Sequence, residues 1–163
     1  MTLITATGLA ADRFARAGGE GAPLVGLDGL EAALAASNEA VGVEVANTVT
    51  IETLAPYLGR VALIAIAFPA FSDGRGFTLA RRLRRAGFAG TLRAVGPLIA
   101  DQFSYALACG FDEVELPEAS AARQPVAQWL AAAGLISATY QRGYQAGGNI
   151  LDQRRAARRG TAG

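Results

Sequence analysis

The sequence predicts an α/β fold: a mostly parallel sheet of four to five strands with alternating helices, either open or part of a β/α barrel. Three observations predict it. From residue 41 onward, short apolar runs alternate with segments of helical periodicity. The connections between them are short, as in right-handed βαβ units. The apolar fraction is 52% and the charged fraction 18%, which suits a 163-residue chain with a core of its own. A full barrel needs eight such units, more than this length provides.

Taken in order, Leu3-Ile4-Thr5 reads as a short strand in an otherwise weakly patterned start, and Gly18 to Gly21 as a flexible loop. Leu27 to Ala36 is a helix with Leu27, Leu30 and Leu34 on one face. Val41 to Ala46 is a strand. Thr50 to Leu58 is a helix, with Thr50 as N-cap and Glu52 in its first turn. Val61 to Phe68 is apolar on both faces, as a central parallel strand should be. Phe77 to Ala86 is a helix with Phe77, Ala80 and Leu83 inward. Thr91 to Val95 is a strand, Leu98 to Cys109 a helix, and Glu113 to Leu116 a short strand. Ser120 to Ala133 is a helix capped by Ser120, with Val126, Trp129, Leu130 and Ala133 inward. A single domain over residues 1–146 is expected. Residues 147–163, with Arg154, Arg155, Arg158 and Arg159, read as an arginine-rich tail that is frayed or partner-dependent.

Composition narrows the chemistry. Histidine and lysine are both absent, and all 15 basic residues are arginine. Ser-His and Cys-His nucleophile systems, imidazole metal ligands, Schiff bases and a P-loop lysine are therefore excluded. Arginine binds and polarises anions but is a poor proton shuttle, so acid–base work falls to Asp, Glu, Tyr or Cys. A net charge of +1 gives no field to attract nucleic acid or a membrane surface. The single cysteine, Cys109, rules out an internal disulfide and an iron–sulfur cluster held by this chain alone, and fits a reducing, cytoplasmic setting. Met1 to Ala11 lacks the basic start of a signal peptide, and the apolar run Val61–Phe71 is too short to span a bilayer. No flavin, nicotinamide or siroheme motif is present, so no cofactor is expected.

Ligands of parallel sheets bind at the carboxyl ends of the strands. The loop there from Phe68 to Phe77 carries Asp73, Gly74, Arg75 and Gly76. Its glycines permit positive φ, the following helix offers free N–H groups, and Arg75 suits sulfate, phosphate or carboxylate. A tight turn in which Asp73 caps N–H groups and Arg75 pairs with a carboxylate is the plain alternative. Arg93 lies mid-strand, where an unpartnered guanidinium would cost several kcal/mol. It must reach a carboxylate, an anion or solvent, and Asp73 and Asp101 are the expected partners. Asp101 and Gln102 open the helix after Gly96-Pro97. Arg81, Arg82, Arg84 and Arg85 form either a solvated outer face or a contact for an acidic protein. Cys109, at a helix end, reads as buried packing. Tyr57, Tyr105, Tyr140 and Tyr144 read as core or interface, with only Tyr105 near Asp101.

The strings Phe68-Pro-Ala-Phe-Ser-Asp-Gly-Arg-Gly-Phe77, Leu92-Arg-Ala-Val-Gly96, Asp101-Gln102 and Cys109-Gly-Phe-Asp112 resemble an uncharacterised bacterial family. Its genes lie beside assimilatory sulfite reductase, and its members are labelled probable oxidoreductases of sulfite reduction. The resemblance runs from about Leu3 to Leu116, and departs from the family's pattern at Ala67 and Ala70, where an acidic residue and often a lysine are expected. It implies an accessory protein of sulfite reduction that binds a small oxyanion or docks on sulfite reductase through Asp73, Arg75, Arg93, Asp101 and Gln102. Two readings stand beside it. One is an enzyme with Asp73 or Asp101 as the acid–base group and Arg75 with Arg93 as anion clamp. The other is a scaffold acting only through protein contacts. A homodimer is the default assembly.

Overall fold

The computed structural model describes residues 1–17 and 19–134. The arginine-rich tail, Gly18, Tyr140 and Tyr144 lie outside the described residues. Within them the alternation of apolar runs becomes eight strands, more than the four to five expected. These are β1 (Thr2–Thr5), β2 (Gly8–Leu9), β3 (Phe14–Ala15), β4 (Ala22–Gly26), β5 (Gly42–Ala46), β6 (Leu63–Ala67), β7 (Thr91–Val95) and β8 (Glu113–Leu116). The helices are α1 (Leu30–Ala36), α2 (Ile51–Leu54), α3 (Arg75–Arg85), α4 (Phe103–Cys109), α5 (Glu118–Ala121) and α6 (Val126–Ala133). The additional strands are β4, of five residues, and β2 and β3, of two residues each. Runs that short carry no periodicity for a sequence to display.

The strand order is β2-β1-β8-β7-β6-β5-β4-β3. From β3 to β8 every neighbouring pair is parallel, and β1 runs antiparallel to β8 and β2. Because β4 to β8 follow one another in both sequence and space, right-handed crossovers send α1 to α4 to the same face. That face holds the main core. Val43, Val45, Ile64, Ile66, Leu92, Ala94, Val114 and Leu116 point into it, opposite Phe77, Leu83, Phe103 and Trp129.

Chain length then dictates curvature. β2 and β3 lie at opposite ends of the strand order, seven strand-to-strand steps apart. Laid flat, those steps would cover about 34 Å. Only residues 10–13 connect the two strands, and five extended Cα–Cα steps reach at most about 18 Å. The sheet therefore curls until its edges approach each other, a curled open sheet with a seam between β2 and β3. Its concave face carries a smaller cluster of Leu24, Leu63, Ala65 and Val95, with Phe14 against it. Gly42 makes room for that ring, since a Cβ there would sit 3.0 Å from Phe14 and 3.1 Å from Leu24. β6 is thus apolar on both faces as expected, but chain from its own N-terminal segment covers one of them.

Helix boundaries differ from the periodicity where proline or capping intervenes. Thr50 is the N-cap of α2, its hydroxyl accepting from Thr53 N–H at 3.4 Å. Pro56 converts the end of that helix to a 3₁₀ turn. The expected helix Ser120–Ala133 is two helices, because Pro125 immediately precedes α6 and removes a donor. The re-phasing turns Ala132 inward and leaves Leu130 38% exposed, against the expectation for Leu130. Cys109 is buried, as expected, and burial pushes its thiol pKa up.

Within the arginine run, Arg84 is a structural clamp rather than part of a solvated face. Its guanidinium donates to the carbonyls of Gly110 at 2.9 Å, Phe88 at 2.8 Å and Gly90 at 2.7 Å, and pairs with Asp112 at 2.5 Å. Asp112 in turn accepts from Leu92 N–H at 2.8 Å. The group ties the end of α3 to the starts of β7 and β8. Arg84→Ala should cost about 2–3 kcal/mol by stranding these acceptors. A lowered urea midpoint with an unchanged m-value is the expected readout.

Candidate functional site

Two polar constellations flank the sheet. The first lies on the concave face. Strand alternation puts Glu44, Arg93, Glu113 and Glu115 on that side, because their neighbours Val43, Val45, Leu92, Ala94 and Val114 point into the helical core. Arg93 and Glu113 are directly opposite in register. The Arg93 guanidinium is 1% exposed and donates four hydrogen bonds to three carboxylates. Its Nε donates to Glu113 at 2.8 Å, its Nη1 to Glu115 at 3.0 Å, and Nη1 and Nη2 to the two oxygens of Asp12 at 2.7 and 2.6 Å. Arg16 reaches in from beyond β3 and bridges Glu44 on β5 at 2.7 Å and Glu115 on β8 at 2.7 Å. Those strands are three places apart, so one guanidinium serving both is direct evidence of the curl.

The electrostatics follow from contact and burial. Desolvation opposes the Arg93 charge, but hydrogen bonds to Asp12 and Glu113 outweigh it and its pKa is raised. Burial likewise raises the Asp12 carboxyl, and the bonds from Arg93 and from Phe14 N–H more than reverse this, leaving it below its ordinary value. The bond to Glu115 leads the causes that raise Arg16. Four carboxylates face two guanidiniums, an excess of negative charge whose inner members Arg93 and Glu115 are buried and whose outer members Asp12, Arg16 and Glu44 reach solvent. Even so, no cluster of His, Cys, Asp and Glu among the described residues has an arrangement that could hold a metal ion.

The second constellation is the rim at the carboxyl ends of β6 and β7. Asp73 accepts from Arg75 N–H at 3.2 Å and pairs with its guanidinium at 2.6 Å. Arg75 holds the Asp73 carboxyl far below the usual range, and the Asn47 amide adds to this without closing a full hydrogen bond of its own. This is the plain turn anticipated as the alternative. Gly74 and Gly76 do not use positive φ. Gly76 is required for packing instead, since a Cβ there would fall 2.3 Å from the Phe68 ring. Gln102 staples two loops, donating to the Phe71 carbonyl at 2.7 Å and accepting from Ile99 N–H at 3.3 Å. Asp101 is exposed beside it.

The rim therefore joins Asp73, Arg75 and Gln102, while Arg93 belongs to the concave face. The expected pairing of Arg93 with Asp73 or Asp101 is replaced by Asp12, Glu113 and Glu115. A signal for the strand residues was present: Glu44, Arg93, Glu113 and Glu115 are polar interruptions at alternate positions of apolar strands. Nothing in the local pattern pointed to Asp12 and Arg16.

Outside both lies a cavity of about 390 Å³ at the amino ends of the strands, lined by Arg13, Phe14, Ala22, Glu39, Ala62 and Thr91 among others.

A model of a bacterial protein family of unknown function, DUF934, matches residues 42–150, more than half of the chain. The chain belongs to that family. The matched span of this DUF934 protein begins at β5 and includes Glu44, Arg93, Glu113, Glu115 and the whole rim. Asp12 and Arg16 precede it. No curated protein and no solved structure matches the chain. No helix among the described residues is long and apolar enough to cross a membrane.

Proposed function

We propose that this DUF934 protein is an accessory protein of assimilatory sulfite reduction that docks on sulfite reductase through α3 and the adjoining rim. The pathway rests on the resemblance of the Phe68–Phe77 and Leu92–Gly96 strings. The mode rests on one observation: α3 contains five arginines and no acidic residue. Asp73 and Asp112 pair with Arg75 and Arg84, which leaves Arg81, Arg82 and Arg85 to give the helix a positive face. Beside it stand exposed Phe71 at 54%, Tyr105 at 45% and Ile99 at 37%. Arg81 lies over the Tyr105 ring at 5.3 Å, and that ring packs edge-on to Phe77 at 5.0 Å. Arginine and accessible aromatics are the residues enriched at protein interfaces, and a positive face fits an acidic partner surface.

Docking accounts for the rim better than capture of a small oxyanion. Asp73 already fills the start of α3 and neutralises Arg75, and Arg93 is committed to three carboxylates. An Asp73 carboxyl held so low is also a weak proton acceptor.

The test is capture of purified sulfite reductase by the tagged protein. The wild type should retain the reductase, and Arg81→Glu combined with Arg85→Glu should reduce capture at least about tenfold, because two charges of the α3 face are reversed. Undiminished capture by a variant with a wild-type melting temperature would exclude this face, and no capture by the wild type would exclude the partner.

A further inference from the structure

We propose that residues 10–16 form an ion-clipped latch that closes the seam of the curled sheet and opens locally while the rest of the sheet stays folded. The segment joins β2 and β3 directly across the seam, and those strands stand at opposite ends of the strand order. Little of its attachment is apolar. Phe14 is half-buried over Gly42, and β3 pairs with β4 over two residues only. Two backbone bonds, Ala10 N–H to Leu3 C=O at 3.0 Å and Ala22 N–H to Arg13 C=O at 2.9 Å, and side-chain charge supply the rest. Asp12 grips Arg93 with both oxygens, at 2.6 and 2.7 Å, and Arg16 reaches Glu44 and Glu115.

The arrangement makes release cheap on both sides. When Asp12 leaves, Arg93 keeps Glu113 at 2.8 Å and Glu115 at 3.0 Å, so no buried cation is abandoned. Opening withdraws Asp12 and Arg16 together, one charge of each sign, so the net charge of the cluster does not change, and Glu115 keeps Arg93 at 3.0 Å. Arg16 is 41% exposed and can exchange its partners for water. Segments with few buried apolar contacts lie at the low end of local opening free energies. The latch is also a wall of the amino-end cavity, to which it contributes Arg13 and Phe14. Opening would widen that cavity and bare Leu24, Leu63, Ala65 and Val95 on the concave face. This device lies on the face opposite α3 and is independent of the docking reading.

Hydrogen exchange of the full chain, read by mass spectrometry, tests it. In Asp12→Asn, peptides spanning residues 10–21 should exchange about tenfold faster than in the wild type, while β6 and β7 keep their rates. Raising NaCl to about 1 M should accelerate the same peptides in the unmodified protein, which provides a readout if the variant folds poorly. Unchanged exchange of residues 10–21 under both conditions would overturn the proposal. So would equal acceleration of β6 and β7, which would make the segment an inseparable part of the fold.

Discussion

Arg93→Met lowers the unfolding free energy by about 3–5 kcal/mol, the cost of removing one partner from a buried ionic network. The substitution leaves Asp12, Glu113 and Glu115 facing one another, with Glu115 buried at 2% exposure and Glu113 largely shielded at 14%. Methionine fills much of the volume, so the loss reports charge rather than a cavity. Arg93→Lys should recover only part of it. A single ammonium cannot present the fork that serves three carboxylates on β8 and the N-terminal segment at once. Urea denaturation of the three proteins measures the series. For a domain of this size the Met variant should melt about 10 °C or more below the wild type. A loss under about 1 kcal/mol would show that the network does not hold the curl, and that apolar packing of the concave face does.

Gly96→Ala is the second large effect, at about 2–4 kcal/mol, and it combines two penalties. Gly96 has a φ of +137°, a region that side-chain-bearing residues rarely adopt, and a Cβ there would lie 2.2 Å from the Phe68 carbonyl oxygen. The clash is with backbone, so no rotamer change relieves it. The residue's N–H donates to Glu115 C=O at 3.0 Å, which anchors the turn to β8. Shifting Gly96 would therefore also disturb the concave network. Gly74→Ala supplies the contrast within the same rim. Its φ is −79°, and a Cβ there would meet nothing nearer than Phe77 at 4.0 Å. It should be neutral or slightly stabilising, since it only reduces the freedom of the unfolded chain. Thermal melts of both variants decide whether glycine at the rim serves backbone geometry, as at Gly96, or is dispensable, as at Gly74.

The readable part of this molecule was the part with period. β5, β6, β7 and β8 declared themselves because their buried faces are continuous runs of Val, Ile, Leu and Ala. α3 did so because Phe77, Ala80 and Leu83 recur at helical spacing. Thr50 was identified as a cap because a hydroxyl before a helical run has a specific job. The failures have equally specific causes. Pro125 outweighed the periodicity of Ser120–Ala133 and re-phased α6, turning Leu130 outward. β2 and β3 are too short to show a pattern. The candidate site divided for a similar reason. Asp73, Arg75 and Gln102 lie close in sequence or in consecutive loops, so their meeting at one rim was legible. The partner of Arg93 was not. Asp12 is 81 positions away in the chain, and no local rule connects a residue in an unpatterned turn to the middle of a strand.

By itself the sequence determined the alternation of strands and helices, the parallel core of the sheet, the absence of histidine and lysine chemistry, and the need for Arg93 to reach a carboxylate, an anion or solvent. These follow from composition and spacing, which act locally. Only the tertiary structure decided which carboxylates that partner would be, and which side of the sheet they occupy. The reason is geometric. A connection of four residues between strands at opposite ends of the order forces the sheet to curl, and the curl sets Asp12 and Arg16 against Glu44, Arg93 and Glu115 across distances that no sequence window spans.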